Sequence, residues 1–224
     1  MITSFANILF DLDGTLTDPK VGITRSIQYA LEQLNEPVPA ADELTWCIGP
    51  PLLDFFATIL NSRDDARLNQ ALTHYRKRFA DVGLFENTVY PDCEDSLQKI
   101  KIAGFKIFLA TSKPGVFAKK ILDHFNLSRF FDGIYGSELD GRRSDKGELI
   151  AHILATEKLD SGDTLMVGDR CHDIIGGKKN SLRTAAVSYG YGSREEISSS
   201  DPDMIFDSMT QLASFLQSQN IPAE

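Results

Sequence analysis

From Pro91 onward, hydrophobic residues alternate between helical spacing and short continuous apolar runs. This pattern predicts helices over 92–103, 116–125, 146–157, 171–180 and 209–217, and strands over 106–111, 134–135, 164–168, 184–187 and 204–206. Helices that alternate with strands are typical of a parallel sheet with helices on both faces. The second half of the chain is therefore predicted to form a doubly wound α/β core.

The apolar run Ile8–Phe10 predicts a first strand of the same sheet, but a purely helical block follows it. Apolar residues recur at helical spacing in three stretches: one stops before Glu36-Pro37, the next begins after Gly49-Pro50-Pro51, and the third covers roughly residues 65–81. We therefore predict an all-helical cap domain over residues 16–83. It would be inserted into a discontinuous catalytic core made of residues 1–15 and 84–224.

The overall composition narrows the class of protein. The 224 residues are 42% hydrophobic and 25% charged, which is ordinary for a soluble globular protein. A formal net charge of −9 disfavours a nucleic-acid polymer or an anionic membrane surface as a partner. Three widely spaced cysteines form no disulfide or zinc pattern, and no apolar stretch is long enough to cross a bilayer. We expect a cytoplasmic protein, with its oligomeric state left open.

The candidate chemistry begins where the first strand ends, at Asp11 and Asp13. Strands disfavour aspartate, and two carboxylates this close repel each other unless a cation lies between them. A divalent cation with hard oxygen ligands is the simplest physical explanation. Gly14 follows and lets the backbone turn sharply away. The segment is therefore predicted to form the first part of an active site.

Polar residues follow two other predicted strands in the same way. Thr111 and Ser112 end the strand at 106–111, and Asp169 follows the strand at 164–168, with Asp173 four residues later. Lys146 opens a predicted helix between them. Each residue alone also fits a structural role, such as a helix cap or a solvated side chain. In open α/β sheets, however, ligands bind at the carboxyl ends of the strands, where these groups would gather.

Taken in their order along the chain, these segments resemble the motifs of the haloacid dehalogenase-like hydrolase superfamily. The similarity is to its helical-cap subclass, near the phosphoglycolate phosphatases and related 5′-nucleotidases. The matching segments are Asp11–Thr15, Thr111, Lys146, and Gly168-Asp169 with Asp173. The resemblance covers essentially the whole chain and implies a Rossmann-like core with a helical cap.

The resemblance also implies a role for each matching residue. Asp11 would be the nucleophile that becomes an aspartyl phosphate, and Asp13 the general acid and base. The phosphate group would be bound by Gly14, Thr111, Ser112 and Lys146. Mg²⁺ would be held by Asp11, the main-chain carbonyl of Asp13 and Asp169, with Asp173 binding a metal-bound water or orienting its neighbours.

Asp13 favours phosphate-ester chemistry within the superfamily, because the dehalogenase branch lacks an acid at this position. We therefore expect a Mg²⁺-dependent phosphatase, a phosphoric monoester hydrolase, that acts on a small organic phosphomonoester. Phosphoglycolate is the first candidate substrate. The alternatives are a 5′-nucleotidase acting on nucleoside monophosphates and a phosphosugar mutase. Outside enzymes, a phosphate- or metal-responsive binding module would be expected to lack Asp11 or Asp13.

Candidate selectivity residues come from the cap and from one loop. The cap segment that contains Trp46, Ile48, Gly49 and Pro50 resembles the one that faces the active site in relatives. A helix stop with a packed tryptophan is the alternative. Arg142 and Arg143 either contact the substrate or form a basic surface loop.

Three further polar residues lie near the motifs in the sequence. Lys113 is expected to be solvent-exposed, and His172 to have an ordinary structural role. Arg170, found where many relatives have Ser or Thr, is expected to add a charge near the site.

Overall fold

The computed structural model describes residues 5–219. They divide into two compact units, a helical unit over Asp18–Thr88 and an α/β unit formed by the described residues on either side. The strands are β1 (Asn7–Phe10), β2 (Thr17–Asp18), β3 (Thr88–Val89), β4 (Lys106–Pro114), β5 (Gly133–Ser137), β6 (Thr164–Gly168), β7 (Arg183–Val187) and β8 (Met204–Phe206). The helices are α1 (Lys20–Gln33), α2 (Leu52–Ile59), α3 (Asp65–Arg78), α4 (Cys93–Ile102), α5 (Gly115–His124), α6 (Lys146–Glu157), α7 (Cys171–Lys179), α8 (Arg194–Ser200) and α9 (Met209–Gln219).

The α/β unit contains a parallel six-stranded sheet in the order β5-β4-β1-β6-β7-β8. The central strand β1 is buried over its whole length, as expected for a continuous apolar run between two layers of helices. The predicted fold class, a doubly wound parallel sheet with an inserted helical segment, is confirmed. Among residues 5–219, no helix is both long and apolar enough to cross a membrane.

The strand register determines where the polar residues lie. Phe10 of β1 pairs with Leu109 of β4 on one side and with Val167 of β6 on the other. The residues that follow these three positions therefore emerge at the same edge of the sheet. Beneath them, apolar residues of α6 pack against β1, β4 and β6 in a closed core cluster that contains Leu9, Phe108, Ala110, Leu149, Ile150, Ile153 and Met166.

The structure adds one helix that the hydrophobic pattern did not predict. Helix α8 lies between β7 and β8, and only one of its seven residues, Ile197, is buried. The Ser193 hydroxyl caps the helix by accepting a hydrogen bond from the Glu196 N–H at 3.0 Å. A helix this short has too few apolar residues to show a period, but a serine followed three residues later by glutamate is a recognised capping signal.

The helical unit is organised around α1 and α3 and has its own aromatic core. The rings of Tyr75 and Phe79, one helical turn apart, stack with centroids 5.3 Å apart. The unit ends at Thr88 rather than at residue 83 because Glu86 belongs to it. The Glu86 carboxylate accepts hydrogen bonds from Arg78 at 2.7 and 3.1 Å and from Arg25 at 2.9 Å. The unit begins at Asp18 rather than at residue 16. Asp18 belongs to β2, which pairs with β3 in a separate two-stranded sheet.

Candidate active site

The segment after β1 places Asp11 and Asp13 at the carboxyl edge of the sheet. The Asp11 N–H donates to the Val167 carbonyl at 2.9 Å, which extends the pairing with β6 by one residue. The backbone then turns at Gly14, whose φ of +87° lies in the region that favours glycine. Both aspartate side chains are buried as a result.

Lys146, the first residue of α6, lies among the buried acids. Its ammonium is 2.8 Å from Asp11 Oδ1 and 2.7 Å from Asp173 Oδ1, and it donates to the Ala110 carbonyl at 2.8 Å. Burial opposes its charge, but the two carboxylates outweigh this effect and raise the pKa of Lys146 above its ordinary value. The lysine therefore stays protonated and connects β1, β4 and α7. The alternative of a solvated lysine is wrong.

Lys113 is the second buried cation of the site. Its ammonium lies 2.8 Å from Asp13 Oδ2, and only 6% of its side chain is exposed. The expectation of a solvent-exposed lysine is therefore wrong. Strand β4 continues past Thr111 to Pro114 with an irregularity between these two residues, and such bulges re-aim side chains. Burial raises the pKa of Asp13, although Lys113 acts in the opposite direction.

Three carboxylates converge at the centre of this edge. Asp11, Asp169 and Asp173 are buried, and each offers an oxygen within 4.8 Å of the others. Burial and the neighbouring charges of Asp11 and Asp173 raise the pKa of Asp169 well above its usual range. Burial also raises the pKa of Asp173, against the opposing effect of Lys146. The arrangement therefore suits a cation that would stabilise the ionised carboxylates.

The Asp169 carboxylate is also held by neutral donors. Its Oδ2 accepts a hydrogen bond from the Tyr191 N–H at 2.7 Å, and its Oδ1 accepts one from the Thr15 hydroxyl at 3.3 Å. Tyr191 belongs to none of the sequence motifs. The available signal was two glycines, Gly190 and Gly192, just after β7, whose carboxyl end lies at the same edge as Asp169.

Thr111 and Ser112 lie near the end of β4, beside the segment that carries Asp11. Thr111 is buried, and its hydroxyl oxygen accepts the Lys113 N–H at 3.2 Å. It does not cap α5, which begins after Pro114 without a side-chain cap. The Ser112 hydroxyl donates to the Ser144 carbonyl at 3.1 Å, which fixes the loop before α6. The predicted phosphate-binding role of these two residues stays a prediction.

The two arginines considered for substrate contact each pair with an acid of their own loop. Arg142, whose side chain is 72% exposed, lies 2.8 Å from Asp140. Arg143 pairs with Glu138. The role of both arginines in selectivity stays a prediction.

The Arg170 guanidinium, expected to add a charge near the site, pairs with Glu196 at 2.8 Å. The same Glu196 oxygen accepts the Cys171 N–H at 2.9 Å. Arg170 thus tethers α8 to the start of α7, and its charge also acts on Asp169, where it opposes the rise in pKa that burial causes.

Within the helical unit, the candidate selectivity residues differ in exposure. The Trp46 ring is 44% exposed, whereas Ile48 is fully buried. Gly49 has a φ of +107° and, with Pro50, forms the bend before α2. Of the two large side chains of this segment, Trp46 is thus the one with surface to offer a ligand.

The family model described as "Haloacid dehalogenase-like hydrolase" matches residues 8–187 of the chain. The chain belongs to this family. It is 45% identical over 214 residues to a "5′-nucleotidase" of Pseudomonas aeruginosa, an alignment that covers 96% of each chain. It is 32% identical over 203 residues to "Tyrosine-protein kinase PtkA" of Mycobacterium tuberculosis, covering 91% of this chain and 69% of the relative.

Among solved structures, a predicted phosphatase from Clostridium acetobutylicum superimposes on the chain with a TM-score of 0.91. Its sequence identity is 41%, and the match covers 96% of this chain and 100% of that one. The family resemblance found in the motifs is thus confirmed over core and helical unit alike. The protein is a phosphatase of this family, a phosphoric monoester hydrolase.

Proposed function

We propose that this protein is a Mg²⁺-dependent phosphatase that hydrolyses a small organic phosphomonoester through an aspartyl phosphate on Asp11. The observation that carries the proposal is the balance of buried charge at the sheet edge. The four carboxylates of Asp11, Asp13, Asp169 and Asp173 face only two ammonium groups among the described residues, those of Lys113 and Lys146. With all four carboxylates ionised, two negative charges are left over, which is the charge that one divalent cation would neutralise.

The donor set also fits Mg²⁺, which prefers carboxylate oxygens and water over nitrogen or sulfur. Asp11 and Asp169 would hold the ion together with the Asp13 main-chain carbonyl, and Asp173 would orient its neighbours from beside Lys146. When bound, the metal would supply positive charge to the oxygens of the transferring phosphoryl group.

The attacking group in this proposal is the Asp11 carboxylate. Lys146 holds Asp11 Oδ1 and so fixes the orientation of the carboxylate. Attack on phosphorus forms an acyl-phosphate bond and breaks the bond to the alcohol oxygen of the substrate. Water then attacks the same phosphorus atom, which releases inorganic phosphate and regenerates Asp11.

Asp13 is suited to move the proton in both steps. Burial raises its pKa, so it can carry a proton to the leaving alcohol oxygen and then take one from the attacking water. Lys113 stabilises the ionised form that remains after the first transfer. A pure binding module is disfavoured because the nucleophile, the acid and their counter-charges are all present.

The substrate that the relatives support best is a nucleoside 5′-monophosphate. The relative at 45% identity carries the name 5′-nucleotidase, and this similarity outweighs the motif resemblance that implied phosphoglycolate. We keep phosphoglycolate as the second candidate. One relative is named a tyrosine-protein kinase, so the third activity to test is transfer of the phosphoryl group to a tyrosine hydroxyl instead of to water.

The test is release of inorganic phosphate from a panel of nucleoside monophosphates, phosphoglycolate and a hexose phosphate, with and without Mg²⁺. A parallel reaction contains ATP and a tyrosine peptide. We expect Mg²⁺-dependent hydrolysis with the highest kcat/KM for a nucleoside monophosphate. Absence of hydrolysis with every ester, or phosphorylation of the peptide faster than ester hydrolysis, would contradict the proposal.

A further inference from the structure

The residues that follow β7 pack directly against Asp169, so closely that two of their positions have no room for a side chain. The Tyr191 N–H donates to Oδ2 at 2.7 Å, and the Thr15 hydroxyl donates to Oδ1 at 3.3 Å, so both oxygens of this fully buried carboxylate are engaged. Two donors from opposite ends of the chain therefore fix the rotation of one side chain.

The two glycines that flank Tyr191 are required by this close approach. A Cβ atom at Gly190 would lie 2.3 Å from Asp169 Cβ and 2.4 Å from the Gly14 carbonyl oxygen. A Cβ atom at Gly192 would lie 2.0 Å from the Asp169 carbonyl oxygen. These distances are far below van der Waals contact, so the backbone of the segment lies directly against the residue.

The same segment is attached to the turn that follows the nucleophile. The Tyr189 hydroxyl donates to the Thr15 carbonyl at 2.8 Å, and the Tyr189 ring packs edge-on against Tyr90 with centroids 4.9 Å apart. Tyr189 and Tyr191 thus connect the turn after Asp13 to Asp169. The two ends of the acidic cluster are held at a fixed separation.

We propose that Tyr189–Gly192 and the Thr15 hydroxyl together position Asp169, and that the two donors jointly set both the affinity of the site for Mg²⁺ and its preference over Ca²⁺. This inference rests on the metal site of the proposed function. Mg²⁺ demands short, nearly octahedral coordination, whereas the larger Ca²⁺ accepts flexible and irregular ligands. A carboxylate with both oxygens held cannot adjust to the longer distances. Loosening it weakens Mg²⁺ binding more than Ca²⁺ binding.

The experiment measures Mg²⁺ and Ca²⁺ binding to the substrate-free protein by isothermal titration calorimetry. Thr15→Val removes one donor and keeps the side-chain shape, and Gly190→Ala forces the segment away from Asp169. Gly115→Ala is the matched control, because its new Cβ would lie 3.5 Å from the nearest atom, the Gly136 nitrogen. Neither Gly190 nor Gly115 has a positive φ, so neither substitution strains the backbone dihedral angles. The two variants therefore differ in the space that is available to the new Cβ atom.

We expect Thr15→Val and Gly190→Ala to weaken Mg²⁺ binding about 10- to 100-fold, the effect typical of residues that orient metal ligands. Ca²⁺ binding should weaken by a smaller factor, and Gly115→Ala should match the wild type. A thermal melt without metal separates positioning from folding, because a positioning role leaves the melting temperature of Thr15→Val nearly unchanged.

Wild-type Mg²⁺ affinity in Thr15→Val overturns the inference, even if Gly190→Ala does not fold. Equal weakening of Mg²⁺ and Ca²⁺ together with a lowered melting temperature also overturns it, since that is the result of general destabilisation. A wild-type protein that binds no Mg²⁺ contradicts the proposed metal site itself. The two failures are therefore distinguishable.

Discussion

The Lys113 ammonium and the Asp13 carboxylate form a buried ion pair, with Nζ 2.8 Å from Oδ2. The second carboxylate oxygen, Oδ1, is buried and has no hydrogen-bond partner among residues 5–219. Lys113 thus compensates the charge of Asp13 from one side only. The other oxygen is a buried acceptor that no described residue uses.

Lys113→Met should destabilise the protein, because it leaves the Asp13 charge buried without a partner. Removing one member of a buried pair typically costs about 3 kcal/mol. Denaturant unfolding measures the loss. The double variant Lys113→Met with Asp13→Asn should recover most of it, because no buried charge is then left unpaired. Equal stability of Lys113→Met and the wild type would show that the pair does not form in solution.

Asp11→Asn should lower kcat by about 1,000-fold or more, because the amide cannot attack phosphorus. The matched control is Asp201→Asn, which makes the same change in a side chain that is 91% exposed. The control should keep wild-type activity, since exposed ion pairs contribute little. Steady-state release of phosphate measures both. An Asp11→Asn variant with more than about a tenth of wild-type activity would refute the nucleophile assignment.

Chelation should abolish phosphatase activity, because two buried negative charges would then repel the substrate phosphate. Mg²⁺ added in excess over the chelator should restore activity. Ca²⁺ should fail to restore it or should inhibit, since its longer and less regular coordination misplaces the reacting groups. The measurement is a titration of activity with each ion after dialysis against chelator. Full activity in the dialysed, metal-free protein would contradict the metal site.

Glu86→Gln should destabilise the helical unit in a pH-dependent manner. Hydrogen bonds from Arg78, opposed by partial burial and assisted by Arg25, lower the pKa of Glu86. Its stabilising effect is therefore complete above the unfolded-state pKa of about 4.3 and is lost as the pH falls through the lower folded-state pKa. The difference from wild type should be about 1–3 kcal/mol at neutral pH and should shrink at more acidic pH.

The measurement for Glu86 is denaturant unfolding across a series of pH values from neutral to acidic. Glu32→Gln, a change at an exposed residue of α1, is the control and should leave the unfolding free energy within about 0.5 kcal/mol of wild type. A stability difference for Glu86→Gln that is constant with pH would argue against the ion pair as its source.

Trp46→Ala should change the ratio of kcat/KM between a nucleoside monophosphate and phosphoglycolate, because a half-exposed indole can stack on a base but gains little from a two-carbon acid. Leu53→Ala, at a residue with 50% exposure, is the control for loss of apolar surface. Ile48→Ala should instead destabilise the fold by about 2–5 kcal/mol, since Ile48 is fully buried. An unchanged ratio in Trp46→Ala would remove this residue from the selectivity determinants.

Much of the site follows from the sequence alone. The apolar runs of β1, β4 and β6 predict parallel neighbours, and such strands bring their carboxyl ends to one edge. Asp11, Lys146 and Asp169 could therefore be grouped without coordinates. The predicted bounds of α6, β6 and β8 also agree with the structure, because each begins or ends at a sharp change from apolar to polar or turn-forming residues.

Tertiary structure alone decided which partner each of these groups has. Lys113 reaches Asp13 only because β4 continues, with an irregularity, past its predicted end. Tyr191 reaches Asp169 through a main-chain N–H, a group that every residue except proline carries and that no sequence pattern distinguishes. Hydrophobic periodicity reports which face of an element is buried. It does not report the path of the loop that follows, and in this protein those loops hold the carboxylates in place.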